Sequence, residues 1–119
     1  MRLWDVETNL LVRTLVHGSY TSGGYPISVA FSPDGARLAV SGRGYALNAT
    51  VWEVSSGNLV YSLPAGAGKY GTSSATVAFS PNGRYLVAGV SRYVGPEWGG
   101  LIRIWDMANG SLAKEYTEE

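Results

Sequence analysis

The fold of this chain is decided by the stretch VAFSPDGARLA at residues 29–39, because the same pattern returns 48 positions later as VAFSPNGRYLV at residues 77–87. Seven of these eleven positions carry the same residue in both copies. A second pattern keeps a similar spacing, with LWDV at residues 3–6, VWEV at residues 51–54 and IWDM at residues 104–107. Self-similarity of this kind indicates a repeat architecture.

Composition excludes several classes of protein. The 119 residues have the length of one domain, are 45% hydrophobic, and carry nine basic and nine acidic side chains for a formal net charge of zero. This balance, without long charge runs, disfavours nucleic acid and an anionic membrane as main partners. The absence of cysteine excludes disulfides and thiolate metal sites. No apolar run approaches the ~20 residues of a spanning helix, and no signal peptide is seen, so we expect a cytoplasmic protein.

Short apolar runs between Gly-, Pro- and Asn-rich turns predict ten strands and essentially no helix. Labelled a to d within one repeat, the strands read c-d, a-b-c-d, a-b-c-d. This order predicts a half blade at residues 1–16 and full blades at residues 27–63 and 75–116. Four-stranded antiparallel meanders at regular spacing are typical of β-propellers. The predicted fold class is therefore all-β.

With these residues the chain resembles the WD-repeat (WD40) β-propeller family over nearly its whole length. The resemblance is carried by the Phe-Ser-Pro-Asp/Asn-Gly turns and by a Trp followed by an acidic residue at the end of strand c. The residues that carry the repeat are Trp4, Asp5, Phe31, Pro33, Asp34, Gly35, Trp52, Glu53, Phe79, Pro81, Asn82, Gly83, Trp105 and Asp106. The resemblance implies blades that pack face to face, and a family whose members generally serve as protein-binding platforms.

The chain departs from the family in the buried hydrogen-bond network that its blades often contain. That network uses a Gly-His pair before strand a, an Asp in the b–c turn, a Ser or Thr on strand b and the strand-c Trp. Here His17 precedes its glycine, and neither b–c loop contains Asp. We therefore expect the network to be absent and Trp52 and Trp105 to be held by apolar packing, with solvent or backbone as partner of the indole N–H.

The number of blades also departs from the family. Propellers usually close with about 4–8 blades, whereas this sequence carries two and a half. We therefore expect an incomplete WD40-like propeller, a fragment whose partners include the remaining blades of a larger ring. Exposed strand edges and blade faces predict that the isolated chain self-associates. The side chains expected to pack between blades are Trp4, Val29, Phe31, Val40, Trp52, Val77, Phe79, Leu86 and Trp105.

The sequence offers little for catalysis, since it has one His, no Cys and no spaced cluster of metal ligands. Asp5, Glu53 and Asp106 are interpreted as turn residues, each at the end of its own strand c. The Gly-rich residues 66–69 lack the ending of a phosphate-binding loop. We predict no catalytic, cofactor or metal site, and a protein that is not an enzyme.

The distribution of loop lengths predicts a binding face at one end of the blades. The a–b and c–d turns at one end are tight, whereas the connections predicted at residues 17–26, 43–48, 64–74 and 92–100 are long and share the other end. In repeat folds such a face often binds partners, and Tyr, Trp and Arg are typical of interface hot spots. The candidate protein-binding residues are Tyr20, Tyr25, Arg43, Tyr45, Tyr70, Arg92, Tyr93 and Trp98.

The leading hypothesis is a non-catalytic protein–protein interaction scaffold that binds through this face. Three alternatives stay open. One is that the loops have drifted without any role, a second is a regulatory or sensor propeller of a larger multidomain enzyme or signalling protein, and a third is a small-molecule or glycan site among the loop aromatics.

Overall fold

A computed structural model of the chain describes residues 1–15, 25–44, 48–65, 73–94 and 97–118, without the side chains of residues 25–27, 43–44, 48, 73–74, 92–94, 97–98 and 118. All regular structure in these ranges is β, and they contain no helix that could cross a membrane. The ten strands are β1 (Arg2–Trp4), β2 (Leu11–Thr14), β3 (Tyr25–Phe31), β4 (Arg37–Gly44), β5 (Asn48–Glu53), β6 (Leu59–Pro64), β7 (Ser73–Phe79), β8 (Tyr85–Val94), β9 (Glu97–Asp106) and β10 (Leu112–Glu118).

The strands form three antiparallel units. β1 and β2 pair only with each other and make a half blade. β3–β6 pair in sequence order and make blade 1, and β7–β10 do the same and make blade 2. The blades are joined where β4 pairs with β7, at Arg43↔Ser74 and Gly44↔Ser73. The all-β, four-stranded blade architecture is thereby confirmed.

The a–b turns are built alike in both blades. Gly35 and Gly83 both have a φ of 73°, a left-handed conformation that glycine adopts without steric cost. In blade 1 the Asp34 Oδ1 accepts hydrogen bonds from the Ser32 hydroxyl at 2.6 Å and the Ala36 amide at 2.9 Å. Asn82 accepts the equivalent pair of bonds in blade 2. The predicted tight turns are thus closed by side-chain oxygens in the turns themselves.

The c–d turns repeat a second design. Gly57 and Gly110 have a φ of 74°, and Asn9 takes the same place in the half blade with a φ of 58°. In each turn the amide of this residue donates to the carbonyl of the acidic residue that ends strand c. Asn is the residue that tolerates this conformation best after glycine, so the half blade keeps the turn with a side chain present.

The core consists of two apolar layers, one at each contact between units. The layer between the half blade and blade 1 contains Leu15, Leu38, Val40 and Trp52. The larger layer lies between the blades, and its buried members are Ala39, Ala49, Val51, Leu63, Ala65, Ala75, Val77, Leu86, Ala88, Val90, Leu101, Trp105 and Met107. Ser41 is also buried in this layer, and its hydroxyl donates to the Ala75 carbonyl of blade 2 at 2.7 Å. Each strand therefore turns alternate residues toward the preceding and the following unit.

The prediction of packing between blades is wrong for Val29 and Phe31, although Val40, Val77 and Leu86 are buried as expected. Val29 is 56% exposed and Phe31 is more than half exposed, whereas the repeat equivalent of Val29, Val77, is 8% exposed. Val29 and Phe31 face the half blade, which has no a and b strands to lie opposite β3. Trp4 is also more than half exposed, because no described strand covers the side of the half blade on which it lies.

The indole of Trp52 has a partner that differs from the expected one. Its Nε1 donates to Thr50 Oγ1 at 3.0 Å, within strand β5. Thr50 is itself buried, and its hydroxyl lies 3.4 Å from the Val40 carbonyl, to which it donates. The expectation of a solvent or backbone acceptor is therefore wrong, because a side chain two residues away lies on the same face of the strand.

The connection predicted at residues 92–100 is largely strand. β8 continues to Val94 and β9 begins at Glu97, with Tyr93 opposite Trp98 in the ladder. Aromatic residues favour extended pairing, and a hairpin needs only two residues for its turn. The blade 2 hairpin is accordingly longer than the sequence analysis predicts.

Candidate protein-interaction surface

The candidate surface is the end of the blades that holds the b–c and d–a connections, here called the loop face. In blade 1, Tyr25 on β3 lies opposite Arg43 on β4. Arg43 is also paired with Ser74 on β7. The short β4–β7 ladder thus brings the loop-face ends of both blades side by side.

In blade 2 the long hairpin carries three of the candidate residues. In the backbone register Tyr93 is paired with Trp98, and Arg92 is paired with Gly99 next to them. The backbone register therefore groups the candidates into two pairs, Tyr25 with Arg43 and Tyr93 with Trp98. Outside the described residues lie Tyr20, Tyr45 and Tyr70.

The opposite end, here called the turn face, contains a cleft of about 380 Å³ between the two a–b turns and the c–d turn of blade 2. Its lining residues are Ser32, Pro33, Asp34, Arg37, Asn82, Gly83, Arg84, Met107 and Ala108. The acceptors here are already engaged: the Ser32 hydroxyl, followed by the Ala36 amide, holds the pKa of Asp34 below its usual value. The exposed Arg84 extends over the ring of Tyr85, 5.2 Å from its centroid.

The three acidic residues at the ends of strand c accept hydrogen bonds within their own turns. The Thr8 amide, with that of Glu7, donates to Asp5 and lowers the pKa of this carboxyl. Asp106 accepts from the Ala108 amide at 2.9 Å, and Glu53 accepts from the Ser55 hydroxyl at 3.3 Å. The described ranges contain no group of three side chains able to hold a metal ion. These carboxylates shape the turns.

Sequence reasoning missed the polar contacts between units. Arg13 on β2 donates to the Ser55 and Ser56 carbonyls of the blade 1 turn. Tyr61 on β6 donates from its hydroxyl to the Met107 carbonyl of blade 2 at 3.0 Å. The repeat could have indicated these contacts, because Arg13 and Tyr61 occupy the same position of strand d, 48 residues apart.

One further cation links the blades at β9. Arg103 makes a salt bridge with Glu115 at 2.7 Å from its Nε, and its Nη1 donates to the Pro64 carbonyl at 2.6 Å. The two blades therefore share polar contacts at both the turn face and the d strand in addition to their apolar layer.

Comparison with known proteins finds a match over residues 57–106 to the family model described as WD domain, G-beta repeat. No curated protein matches the sequence. Similar solved structures include the Kuenenia stuttgartiensis hydrazine synthase, at 15% identity and a TM-score of 0.46, over 99% of this chain and 43% of that chain. They also include U3-55K, at 17% identity and a TM-score of 0.45, covering 87% of this chain and 41% of that one. The structure of the RRP9 WD40 repeats is similar at 15% identity and a TM-score of 0.46, with coverage of 87% and 40%. The chain thus spans about two fifths of the length of these structures.

Proposed function

We propose that this chain, which matches the WD40 family model over residues 57–106, is a non-catalytic scaffold that binds a partner protein through the loop face. WD40 repeat domains generally act as protein-interaction scaffolds. The proposal adds a surface to that general role and names Tyr25, Arg43, Tyr93 and Trp98 as its centre.

The observation that carries the proposal is the contrast between the two ends of the blades. At the turn face the connections are short and their side-chain oxygens close the turns. At the loop face the β4–β7 ladder joins the blades beside Tyr25 and Arg43, and the β8–β9 hairpin sets Tyr93 opposite Trp98. Aromatic and Arg residues placed together in this way are typical of an interface centre.

The absence of catalysis is likewise a proposal, supported by how the described carboxylates are used. Asp5, Asp34 and Asp106 each accept backbone amides of their own turns. A carboxylate committed in this way at an exposed turn is poorly placed to act as a general base. We therefore assign binding, and no reaction, to this chain.

The test is affinity capture with matched variants at the two ends. Arg43→Glu and Trp98→Ser change the loop face, and Arg84→Glu makes a charge reversal like that of Arg43→Glu at the turn face. We expect the loop-face variants to weaken capture of the wild-type partner by roughly tenfold or more, as for hot-spot residues, and Arg84→Glu to leave it unchanged. Far-UV circular dichroism on each variant checks that the fold is retained.

Loss of capture with Arg84→Glu alone would refute the choice of face. A partner found on the same polypeptide, in a longer gene product, would instead favour the regulatory or sensor propeller.

A further inference from the structure

Two of the five asparagines in this chain are followed directly by glycine, Asn82 by Gly83 and Asn109 by Gly110. Asparagine is among the thermolabile residues of proteins, because the backbone amide of the next residue can attack its side-chain carbonyl. A glycine in the second place has no Cβ to hinder that attack. The two pairs are alike in sequence, and both asparagines are exposed. Their surroundings in the fold are different.

The side chain of Asn82 is already folded back toward the atom that would attack it. Its Oδ1 accepts hydrogen bonds from the Ser80 hydroxyl at 2.7 Å and from the Arg84 amide at 3.0 Å. The ring that the second bond closes contains both the Asn82 Cγ and the Gly83 nitrogen, so it keeps these two atoms near each other. When the nitrogen adds to Cγ, negative charge develops on Oδ1, where two donors are already in place.

The surroundings of this a–b turn leave room for the reaction. Asn82 and Gly83 line the turn-face cleft of about 380 Å³. A Cβ placed on Gly83 would lie 3.5 Å from Pro33 Cδ, an ordinary van der Waals distance. The Gly83 amide donates to the Ser80 carbonyl at 2.8 Å, and this bond has to open before the nitrogen can attack. An exposed turn held mainly by its own hydrogen bonds opens at low cost in free energy.

The side chain of Asn109 has equivalent bonds within its own turn. Its Oδ1 accepts from the Ser111 hydroxyl at 2.6 Å and from the amide of the same residue at 2.9 Å. The Gly110 amide donates to the Asp106 carbonyl at 2.7 Å. The hydrogen bonds inside the turn therefore do not distinguish Asn109 from Asn82, and a difference in reactivity has to come from the neighbouring unit.

The neighbouring unit covers the glycine of each c–d turn that follows it. A Cβ placed on Gly110 would lie 2.6 Å from Cδ1 of Tyr61, on strand d of blade 1. Arg13 of the half blade lies against Gly57 of blade 1 in the same way, with its Cδ 2.6 Å from a Cβ placed there. Both distances are below van der Waals contact, so the strand-d side chain occupies space that only glycine leaves open.

Blade 1 also holds the main chain of the turn that contains Asn109. Tyr61 Oη donates to the Met107 carbonyl at 3.0 Å, and Arg37 Nη1 donates to the same oxygen at 3.1 Å. Moving Gly110 out of the turn displaces the ring that lies against it and disturbs these two bonds. The free energy of opening is therefore higher at this turn than at the a–b turn of Asn82.

We propose that Asn82 is a site of spontaneous deamidation in this chain, and that Tyr61 protects Asn109 from the same reaction. The Gly83 nitrogen forms a bond to Asn82 Cγ and gives up its proton, the Cγ–Nδ2 bond breaks, and ammonia leaves. Water then opens the cyclic imide at one of its two carbonyls, which leaves aspartate or isoaspartate at position 82. The net change is uptake of one water and loss of one ammonia, without an oxidant or a reductant.

The aspartate product is one that this fold already contains. Asp34 occupies the equivalent position of blade 1 and accepts hydrogen bonds from the Ser32 hydroxyl and the Ala36 amide. The isoaspartate product instead adds a carbon to the main chain and cannot close the same turn. Either product adds a negative charge to the turn-face cleft. The inference concerns the end of the blades opposite the loop face and does not depend on partner binding there.

The test compares the two asparagines within one molecule. The chain is incubated at mildly alkaline pH, and trypsin then releases Asn82 in peptide 70–84 and Asn109 in peptide 104–114. Mass spectrometry follows the mass increase that accompanies replacement of the side-chain amide by a carboxyl. We expect Asn82 to react roughly tenfold faster than Asn109 in the folded chain, and both to react at similar rates in guanidinium chloride, where the turns are lost.

Two variants separate the ring of Tyr61 from its hydroxyl. Tyr61→Ala uncovers Gly110, and we expect Asn109 to react roughly fivefold faster while the rate at Asn82 is unchanged. Tyr61→Phe keeps the ring, so Asn109 should stay several-fold slower than Asn82. Far-UV circular dichroism on each variant checks that the fold is retained.

Equal rates at Asn82 and Asn109 in the folded wild-type chain would overturn the inference, as would a faster reaction at Asn109. So would an Asn82 that reacts only in guanidinium chloride, because its turn would then be closed to the reaction. An unchanged rate at Asn109 in folded Tyr61→Ala would refute the protective role of Tyr61. If this variant does not fold, the ratio of the two rates in the wild type decides the question.

Discussion

Replacing Val77 with Ala should destabilise the chain by about 2–3 kcal/mol, whereas the same replacement at Val29 should cost less than about 1 kcal/mol. The two residues occupy the same repeat position, 48 residues apart, on strand a of their blades. Their exposures differ, at 8% for Val77 and 56% for Val29. The pair of variants therefore measures how much a neighbouring blade contributes to the free energy of unfolding at one repeat position.

The magnitudes follow from burial. Val→Ala removes two carbons, and each buried methylene contributes about 0.8 kcal/mol, so a fully buried site loses about 1.6 kcal/mol. If a void of about 40 Å³ remains at Val77, the cavity adds about 1 kcal/mol at 24 cal/mol per Å³. At Val29 less than half of the side chain is buried and water fills the vacated space, which leaves about 0.7 kcal/mol.

The assay is urea unfolding of both variants, followed by far-UV circular dichroism and tryptophan fluorescence. With a slope of about 1–3 kcal/mol/M, a difference of 1.5–2 kcal/mol separates the midpoints by roughly 0.5–2 M. Light scattering on the same samples controls for self-association, which would cover Val29. Equal losses in monomeric variants would refute the assignment of blade faces.

Three further changes test the turns and the buried hydroxyl. Gly110→Ala should lower the free energy of unfolding by about 2–3 kcal/mol, because a left-handed alanine is strained and its Cβ meets the Tyr61 ring. Gly35→Ala, at nearly the same φ but with open space around the Cβ, should lower it by about 1 kcal/mol, as measured by urea unfolding. Asp34→Asn should keep the turn and flatten the acid limb of a pH–stability curve. The Ser32 hydroxyl, followed by the Ala36 amide, holds the pKa of the Asp34 carboxyl below its usual value. The carboxylate therefore contributes to folding stability above the unfolded pKa of about 3.9, and this contribution is lost as pH falls through the folded pKa. An unchanged acid limb would contradict this. Thr50→Val should cost about 1–3 kcal/mol by removing the acceptor of the Trp52 N–H, and Thr50→Ser should largely restore stability; equal losses would show that the hydroxyl is unimportant.

The repeat and its turns could be predicted from sequence because their causes are local. A Pro-Asp-Gly or Pro-Asn-Gly tripeptide sets its own φ angles and hydrogen bonds. Alternation of apolar residues sets strand faces. These signals depend on residues a few positions apart, and the predicted order of ten strands agrees with the observed one.

Burial could not be predicted in the same way, because it depends on the neighbouring unit. Val29 and Val77 have the same local sequence, and only the presence of a and b strands opposite one of them separates their exposures. Likewise Arg13 and Tyr61 read as ordinary strand residues until the next turn is placed beside them. The extension of β8 and β9 was missed because Gly95 and Pro96 made residues 92–100 look like a loop.

The candidate surface was predicted from loop length and composition, and both have limits. The hairpin register pairs Tyr93 with Trp98, which a count of loop residues does not anticipate. The turn-face cleft involves Arg37, a residue without any motif, whose partners lie on β6 and in the c–d turn of blade 2. Contacts of Arg37 arise from three-dimensional neighbours, and the repeat does not indicate them because its equivalent in blade 2 is Tyr85.

The contact between a strand-d side chain and the c–d turn of the next unit has a consequence for how this chain can change by mutation. Because Arg13 lies on Gly57 and Tyr61 lies on Gly110, the acceptable side chain at one turn is set by a residue of the previous repeat. Correlated substitutions are therefore expected between repeats, about one repeat length apart, in addition to those within a repeat. Duplicating or deleting a single repeat changes which turn a strand-d side chain contacts, as well as the blade count. Gene rearrangements that keep a glycine in each c–d turn that such a side chain contacts should survive more often than those that place Asn there.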